Sequence, residues 1–364
     1  MLRSVLRRLV RELTEELVRH YSPTFHEGEA IEALRRFCIE RLGFSEVFTD
    51  GVGNLIAKYG SGNVKVALIG HIDTVPGKLP VVVSNELIRG RGAVDAKGPL
   101  ASAFVGAYLS RELIDDSEVT VYAIALVGEE GPSHGAWELV RSGFKVDAAV
   151  ICEPSRASDV VIEYRGSALI SISCGAPPTH SANPDRHESA CDKLINAWLG
   201  ISKSLSNYSI ISTLMKLSCG ELSNVTPTFG TSLISLRVPV GIERNFITDL
   251  LSKYLPKNCT YELSSYLPPV RVSPNSVGVR ALVRALIKLG IKPKLARKYG
   301  TSDMNIIYGR VSENVVSYGP GDPKLSHTSN EYVSIDELEL ASKVYALFIK
   351  EVTDLIKKRR LCSK

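Results

Sequence analysis

Val64-Lys-Val-Ala-Leu-Ile-Gly70-His71-Ile72-Asp73 is the stretch that decides how this chain is read. Residues 64–69 are aliphatic, rich in β-branching and carry one charge, the texture of a strand buried on both faces of a parallel sheet. An imidazole and a carboxylate follow at once, two residues apart. In an open α/β sheet ligands bind beyond the carboxyl ends of the strands, so His71 and Asp73 are expected to face a crevice. The event recurs. The apolar run 119–127 ends in Gly128-Glu129-Glu130, and 148–152 ends in Glu153-Pro154. A fourth run, beginning at Val315, ends in the loop that leads to His327.

At 364 residues the chain has the length of one large or two moderate domains. Its 44% apolar content is enough for a sizeable core. A net charge of +5 is too mild to imply nucleic acid, and the basic cluster Lys357-Lys358-Arg359-Arg360 reads as a solvated helix end. No apolar run is long enough for a membrane span, and Glu12, Glu15 and Glu16 interrupt any signal-like segment, so the expected location is the cytoplasm. The seven cysteines include no Cys-x-x-Cys pair, so neither a zinc ribbon nor a disulfide framework is expected. Glutamine is absent, which fits a heat-adapted source.

Working outward, Val5, Leu6, Leu9, Val10, Leu13 and Leu17 form a 3.6-period stripe, the mark of a packing helix, and a second helix is expected over 27–42. Pro99 suits the first turn of a third, which leaves Asp95 just ahead of a helix N-terminus. From about residue 163 the texture changes to alternating strands. Strands over 167–173, 213–219, 231–238 and 260–265, with helices over 188–205 and 243–254, give a β-α-β-β-α-β order. The expected architecture is therefore an α/β domain, a mostly parallel twisted sheet flanked by helices, made of residues 1–162 and 270–364. A ferredoxin-like α+β domain, 163–269, is inserted into it.

His71, Asp73, Asp95, Glu129, Glu130, Glu153 and His327 collect at the expected strand ends. Any one alone reads as a surface or capping group; His20, His26 and His187 do read that way, and His134 as the opening of a helix. Together they are another matter, because several carboxylates cannot all ionise in one low-dielectric crevice. Divalent cations remove that conflict, and imidazole with carboxylate is a donor set that zinc accepts. More ligands than four suggest two metals sharing a bridging carboxylate, with an unligated carboxylate left to take a proton from water.

These residues resemble the M20-type co-catalytic metallopeptidase and deacylase family, which includes aminoacylases, glutamate-releasing carboxypeptidases and the acetylornithine and succinyl-diaminopimelate hydrolases. Gly70-His71-Ile72-Asp73, Gly90-Arg91-Gly92 through Asp95-Ala96-Lys97-Gly98, Gly128-Glu129-Glu130 and Cys152-Glu153-Pro154 match its motifs in order. The resemblance implies a zinc-peptidase-like catalytic domain with a lid and dimerisation domain, working as a homodimer. It implies that His71 and Glu153 hold one metal, Glu130 and His327 the other, and that Asp95 bridges them, the ions being zinc or cobalt. Asp73 would orient His71, Glu129 would be the general base, and the Asp95-Ala96 peptide is a candidate cis bond. In the inserted domain the segment 175–184 looks like the family's lid segment, which would make His180 the donor to the tetrahedral oxyanion, in cis or across the dimer. Asn224, Arg237, Ser302 and Asp303 fall where relatives hold substrate.

Within the family the stretches around His71, Asp95 and His327 look closest to a branch of lysine and arginine biosynthesis that releases lysine or ornithine from the small acidic amino-group carrier protein LysW. A basic chain suits an acidic protein substrate. The alternatives are a deacylase of N-acetylornithine or N-succinyl-diaminopimelate and, in another class, a metal-binding dimer without catalysis.

Overall fold

The computed structural model describes residues 2–183, 187–220 and 224–362; Pro184 of the 175–184 segment therefore lies outside the described residues. The chain forms two compact units. One is Met1–Ile162 with Val272–Arg297 and Ser302–Lys364, and the other is Glu163–Arg271 with Lys298–Thr301.

In the first unit, four parallel strands form the middle of a sheet in the order Val119–Leu126, Val64–His71, Ala148–Cys152, Val315–Tyr318. Antiparallel strands flank them: Leu55–Tyr59 and Glu46–Thr49 at one side, Asp159–Tyr164 at the other. The order follows from the crossovers. The chain leaves Val64–His71 through the helix Lys97–Ser110 to a strand on one side, then crosses back through His134–Arg141 to a strand on the other. The His71 strand therefore lies where the winding reverses, which is where an open α/β sheet has its crevice.

Burial explains the apolar runs. Val66 through Ile69 and Val119 through Leu126, Thr120 and Tyr122 apart, are fully buried, so these strands have no solvent face. The helix Lys97–Ser110 is apolar all round because the helices Leu2–Arg19 and Ile335–Cys362 enclose it against the sheet. Val82–Val83 joins Leu87–Arg89 and Tyr332–Ser334 in a small separate sheet.

The second unit is a four-stranded antiparallel sheet in the order Ile211–Cys219, Phe229–Val238, Gly166–Gly175, Cys259–Leu267, with the helices Ala190–Ser206 and Arg244–Tyr254 on one face. This is the ferredoxin-like order. Gly166–Gly175 alternates strictly between buried and half-buried residues, and Ile170, Ile172, Ile234, Leu236, Leu194, Ile201 and Leu251 form the core. Ser189 caps the first of these helices with a reciprocal capping box to Asp192.

The cysteines correct one expectation. Cys174 and Cys259 form a disulfide, as do Cys191 and Cys219. Cys174 and Cys259 are register partners on neighbouring strands although 85 residues apart in sequence, a proximity that only the strand pairing creates. Cross-links over such loops mainly constrain the unfolded chain. The double replacement of Cys174 and Cys259 by Ser should therefore cost about 2–4 kcal/mol, read as a lower urea midpoint for unfolding of this unit. An unchanged midpoint would contradict a formed cross-link.

Candidate active site

The crevice is built on strand ends of the first unit. His71 is the last residue of its strand, and its ring is buried. The ring Nδ1–H donates to the Asp73 backbone carbonyl at 3.0 Å and lies 3.3 Å from Asp73 Oδ1. That leaves Nε2 facing the crevice, 3.2 Å from Asp95 Oδ1 and 3.8 Å from Glu153 Oε1. Across the crevice His327 Nε2 lies 2.7 Å from Glu130 Oε1 and 3.4 Å from Asp95 Oδ2. The two oxygens of Asp95 thus face two different imidazoles.

Asp73, fully buried, organises the acid pair. Its Oδ1 accepts the Glu129 amide at 3.0 Å; its Oδ2 accepts the Glu130 amide at 3.0 Å and the Thr24 hydroxyl at 2.7 Å. The turn into this pair needs Gly128: it has φ +76°, and a Cβ there would run into the His134 ring. Asp95 precedes the helix Lys97–Ser110, and the Asp95-Ala96 peptide is cis.

The electrostatics follow from this crowding. Burial pushes the His71 imidazolium down, but its bonds to Asp73 and Asp95 and the nearby Glu129 charge outweigh that and raise it well above the ordinary imidazole range. Burial pushes Asp95 up, yet His327 and His71 hold it well below the usual carboxylate range. His327 is raised to about 10, chiefly by its bonds to Asp95 and Glu130. Glu129 has no such partner: burial, opposed by His71 but reinforced by Glu153, Asp303 and Glu130, lifts it well above its usual value. Asp303, also buried, is lifted by desolvation to about 7.

Among the described residues, three sets of donors come within 4.8 Å of one another and could hold a cation: His71, Asp95 and Glu153; Asp95, Glu130 and His327; and His71, Glu129 and Glu130. Asp303 and Ser302 are buried in the same unit at the start of the short helix Met304–Ile307. His180, Asn224 and Arg237 belong to the second unit. There His180 bridges to Val225, Ser181 donates to the Asn224 carbonyl at 2.8 Å, and Arg237 donates to Thr301 Oγ1 at 3.4 Å. Two contributors were missed. Thr24 lies in what reads as a simple turn. Lys97, fully buried, donates to the carbonyls of Leu17 and His20 at 2.9 and 2.5 Å, ending the first helix. A lysine two residues past an aspartate carries no signal of that distant contact.

Residues 67–351 match the model of peptidase family M20/M25/M40. A [LysW]-lysine/[LysW]-ornithine hydrolase of Sulfurisphaera tokodaii is 36% identical over 349 residues, covering 95% of this chain and 96% of that protein. Among solved structures, the Bacillus cereus aminopeptidase PepT superposes with a TM-score of 0.82 at 21% identity, over 95% of this chain and 98% of that one. A Bacillus subtilis protein, YXEP, described as a dinuclear metal binding peptidase from the M20 family, gives a TM-score of 0.74 at 17% identity over 95% and 98%. An α/β unit with this crevice and an inserted α+β unit is the fold of a class of amide- and peptide-bond hydrolases. The chain belongs to peptidase family M20/M25/M40.

The shifts fix a pH dependence. Between pH 5 and 7, Asp303 and Glu129 hold protons in the folded protein that the unfolded chain has already released, so stability falls as pH rises. Chelator-treated protein should lose urea stability from pH 5 to 7, and excess zinc, which needs deprotonated donors, should flatten or reverse the slope. A flat profile without metal would contradict the crowding described here.

Proposed function

We propose that the chain is a two-metal amide hydrolase that releases lysine or ornithine from the acidic amino-group carrier protein LysW, a step of lysine and arginine biosynthesis. The observation that carries the chemistry is the double engagement of Asp95, one oxygen toward each imidazole. The observation that supports the substrate is near-full-length similarity to relatives that bear that name.

The donor set fits a pair of divalent cations. The Nδ1–H of His71 is committed to Asp73, so Nε2 is the nitrogen that would bind a metal, giving up the proton it shares with Asp95. Two donor sets sharing Asp95 use both imidazoles and give each cation two carboxylates. The third would reuse His71 and draw Glu129 out of the remaining role. In this reading His71 and Glu153 hold one ion, Glu130 and His327 the other, and Asp95 both. Zinc is the first choice for such donors, and cobalt takes the same set. Bound there, the ions would lower the pKa of a water and polarise the scissile carbonyl.

The remaining work falls to side chains. Glu129, whose affinity for a proton is raised by burial and by its carboxylate neighbours, takes the proton of the attacking water once cations offset that negative charge, and returns it to the departing amine nitrogen. Asp73 keeps His71 in one tautomer and sets the backbone of Glu129 and Glu130. His180 accepts the Ala182 amide on Nδ1 at 3.2 Å, which leaves its proton on Nε2, the tautomer that can donate to a tetrahedral oxyanion. Ser302, Asp303, Asn224 and Arg237 are the proposed substrate contacts.

A homodimer through the second unit is part of the proposal. Ile195 and Leu199 on its first helix and Met215 and Leu217 on its edge strand are exposed, an apolar face on an open sheet edge. No helix among the described residues is long and apolar enough to cross a membrane, and the proposed setting is the cytoplasm of a heat-adapted organism. The disulfides are compatible with that setting, since intracellular proteins of hyperthermophiles carry them.

The test offers carrier-linked lysine, carrier-linked ornithine and N-acetylornithine to the zinc- or cobalt-loaded protein. Turnover should favour a carrier-linked substrate, and preference for N-acetylornithine would overturn the substrate assignment. Glu129→Gln should lower kcat by about 10²–10⁴-fold while keeping its metal. Unchanged turnover would remove Glu129 from the mechanism.

A further inference from the structure

His327 and Asp95 are 232 residues apart in sequence, and neither lies inside a helix or strand. Something must hold their loops at the observed 3.4 Å approach. His327 itself has φ +63°, a left-handed conformation that a side-chain-bearing residue adopts only when its surroundings impose it.

The paired strands Leu87–Arg89 and Tyr332–Ser334 bring the two segments together, and one buried ion pair sets the loops beyond them. Glu331, 1% exposed, lies four residues after His327; Arg91, 8% exposed, lies four residues before Asp95. Glu331 Oε1 accepts the backbone amides of Val94 at 3.0 Å and Asp95 at 3.1 Å, and its backbone carbonyl accepts the Gly90 amide at 3.2 Å. Its Oε2 accepts from Arg91 Nη1 at 2.9 Å. Arg91 Nη1 also donates to the Thr328 carbonyl at 3.1 Å, next to His327, and Arg91 Nε donates to the Gly77 carbonyl at 2.9 Å, in the loop that leaves His71 and Asp73.

We propose that Arg91 and Glu331 are positioning residues for the hydrolysis: a buried clamp that fixes the loops of Asp95, His327 and His71 at the separation two cations need. The inference rests on the reading of those residues as metal donors, but the clamp is drawn from its own bonds. A pair that served only the core would spend its hydrogen bonds on helices or strands. This one directs them to the loops that carry the crevice. A planar fork of donors is what lets one side chain reach two loop carbonyls and a carboxylate together, so arginine is required and lysine is a poor substitute.

The test compares wild type with Glu331→Ala, Glu331→Gln and Arg91→Lys, each stripped of metal and titrated with Co(II). In Glu331→Ala the weaker cobalt site should lose about 10–100-fold in affinity, the visible cobalt bands should shift, and kcat should fall by a similar factor with KM little changed. Glu331→Gln, whose amide oxygen can still accept from Val94 and Asp95, should recover part of each effect. In metal-free protein the Val94 and Asp95 amides should exchange faster in Glu331→Ala, while amides of Val64–His71 keep their protection. If Glu331→Ala does not fold, Arg91→Lys carries the same expectations for cobalt and for kcat. Wild-type cobalt affinity, spectrum and exchange in a folded variant would overturn the clamp. Wild-type protein that takes up no cobalt would overturn the metal reading instead, and the exchange rates would then decide the clamp alone.

Discussion

Mutual repulsion among buried carboxylates governs this structure. Asp73, Asp95, Glu129, Glu130, Glu153 and Asp303 all belong to one crevice at the ends of parallel strands. The protein relieves part of the repulsion itself. Asp73 accepts two backbone amides and a hydroxyl, and Asp95 lies between two imidazoles. Glu129 and Asp303 receive no comparable relief, and their raised proton affinity is the remainder. A crevice with that remainder is arranged to receive positive charge.

The fold class was legible because the strands around His71, Glu129 and Glu153 are buried on both faces and announce themselves as apolar runs. Chemistry placed directly after three such runs needs no knowledge of the fold to be noticed. What spacing could not convey was pairing at a distance. Nothing in Asn330-Glu331 says that its carboxylate turns back to the amides of Val94 and Asp95. Nothing in Lys97 says that its ammonium ends a helix some eighty residues earlier. Cysteine spacing misled for the same reason: Cys174 and Cys259 meet only because two distant strands pair in one register.

The same logic separates the two units. The first carries its polar groups at strand ends and keeps its faces apolar, as a two-sided parallel sheet must. The second alternates along its two central strands, Gly166–Gly175 and Phe229–Val238, covers one sheet face with helices, and leaves an edge strand and a helix with exposed Ile195, Leu199, Met215 and Leu217. Its stability is reinforced covalently, which offsets the small size of its core. His180 lies in a loop of this unit whose backbone already selects the ring tautomer.

Anomalous diffraction from crystals grown with excess zinc would locate the cations held in the crevice. Two cations sharing Asp95 should give two peaks about 3.5–4 Å apart, one beside His71 and Glu153, the other beside Glu130 and His327, with Asp95 touching both and Glu129 neither. A single peak, or a second ion held by Glu129 in place of Asp95, would contradict that arrangement.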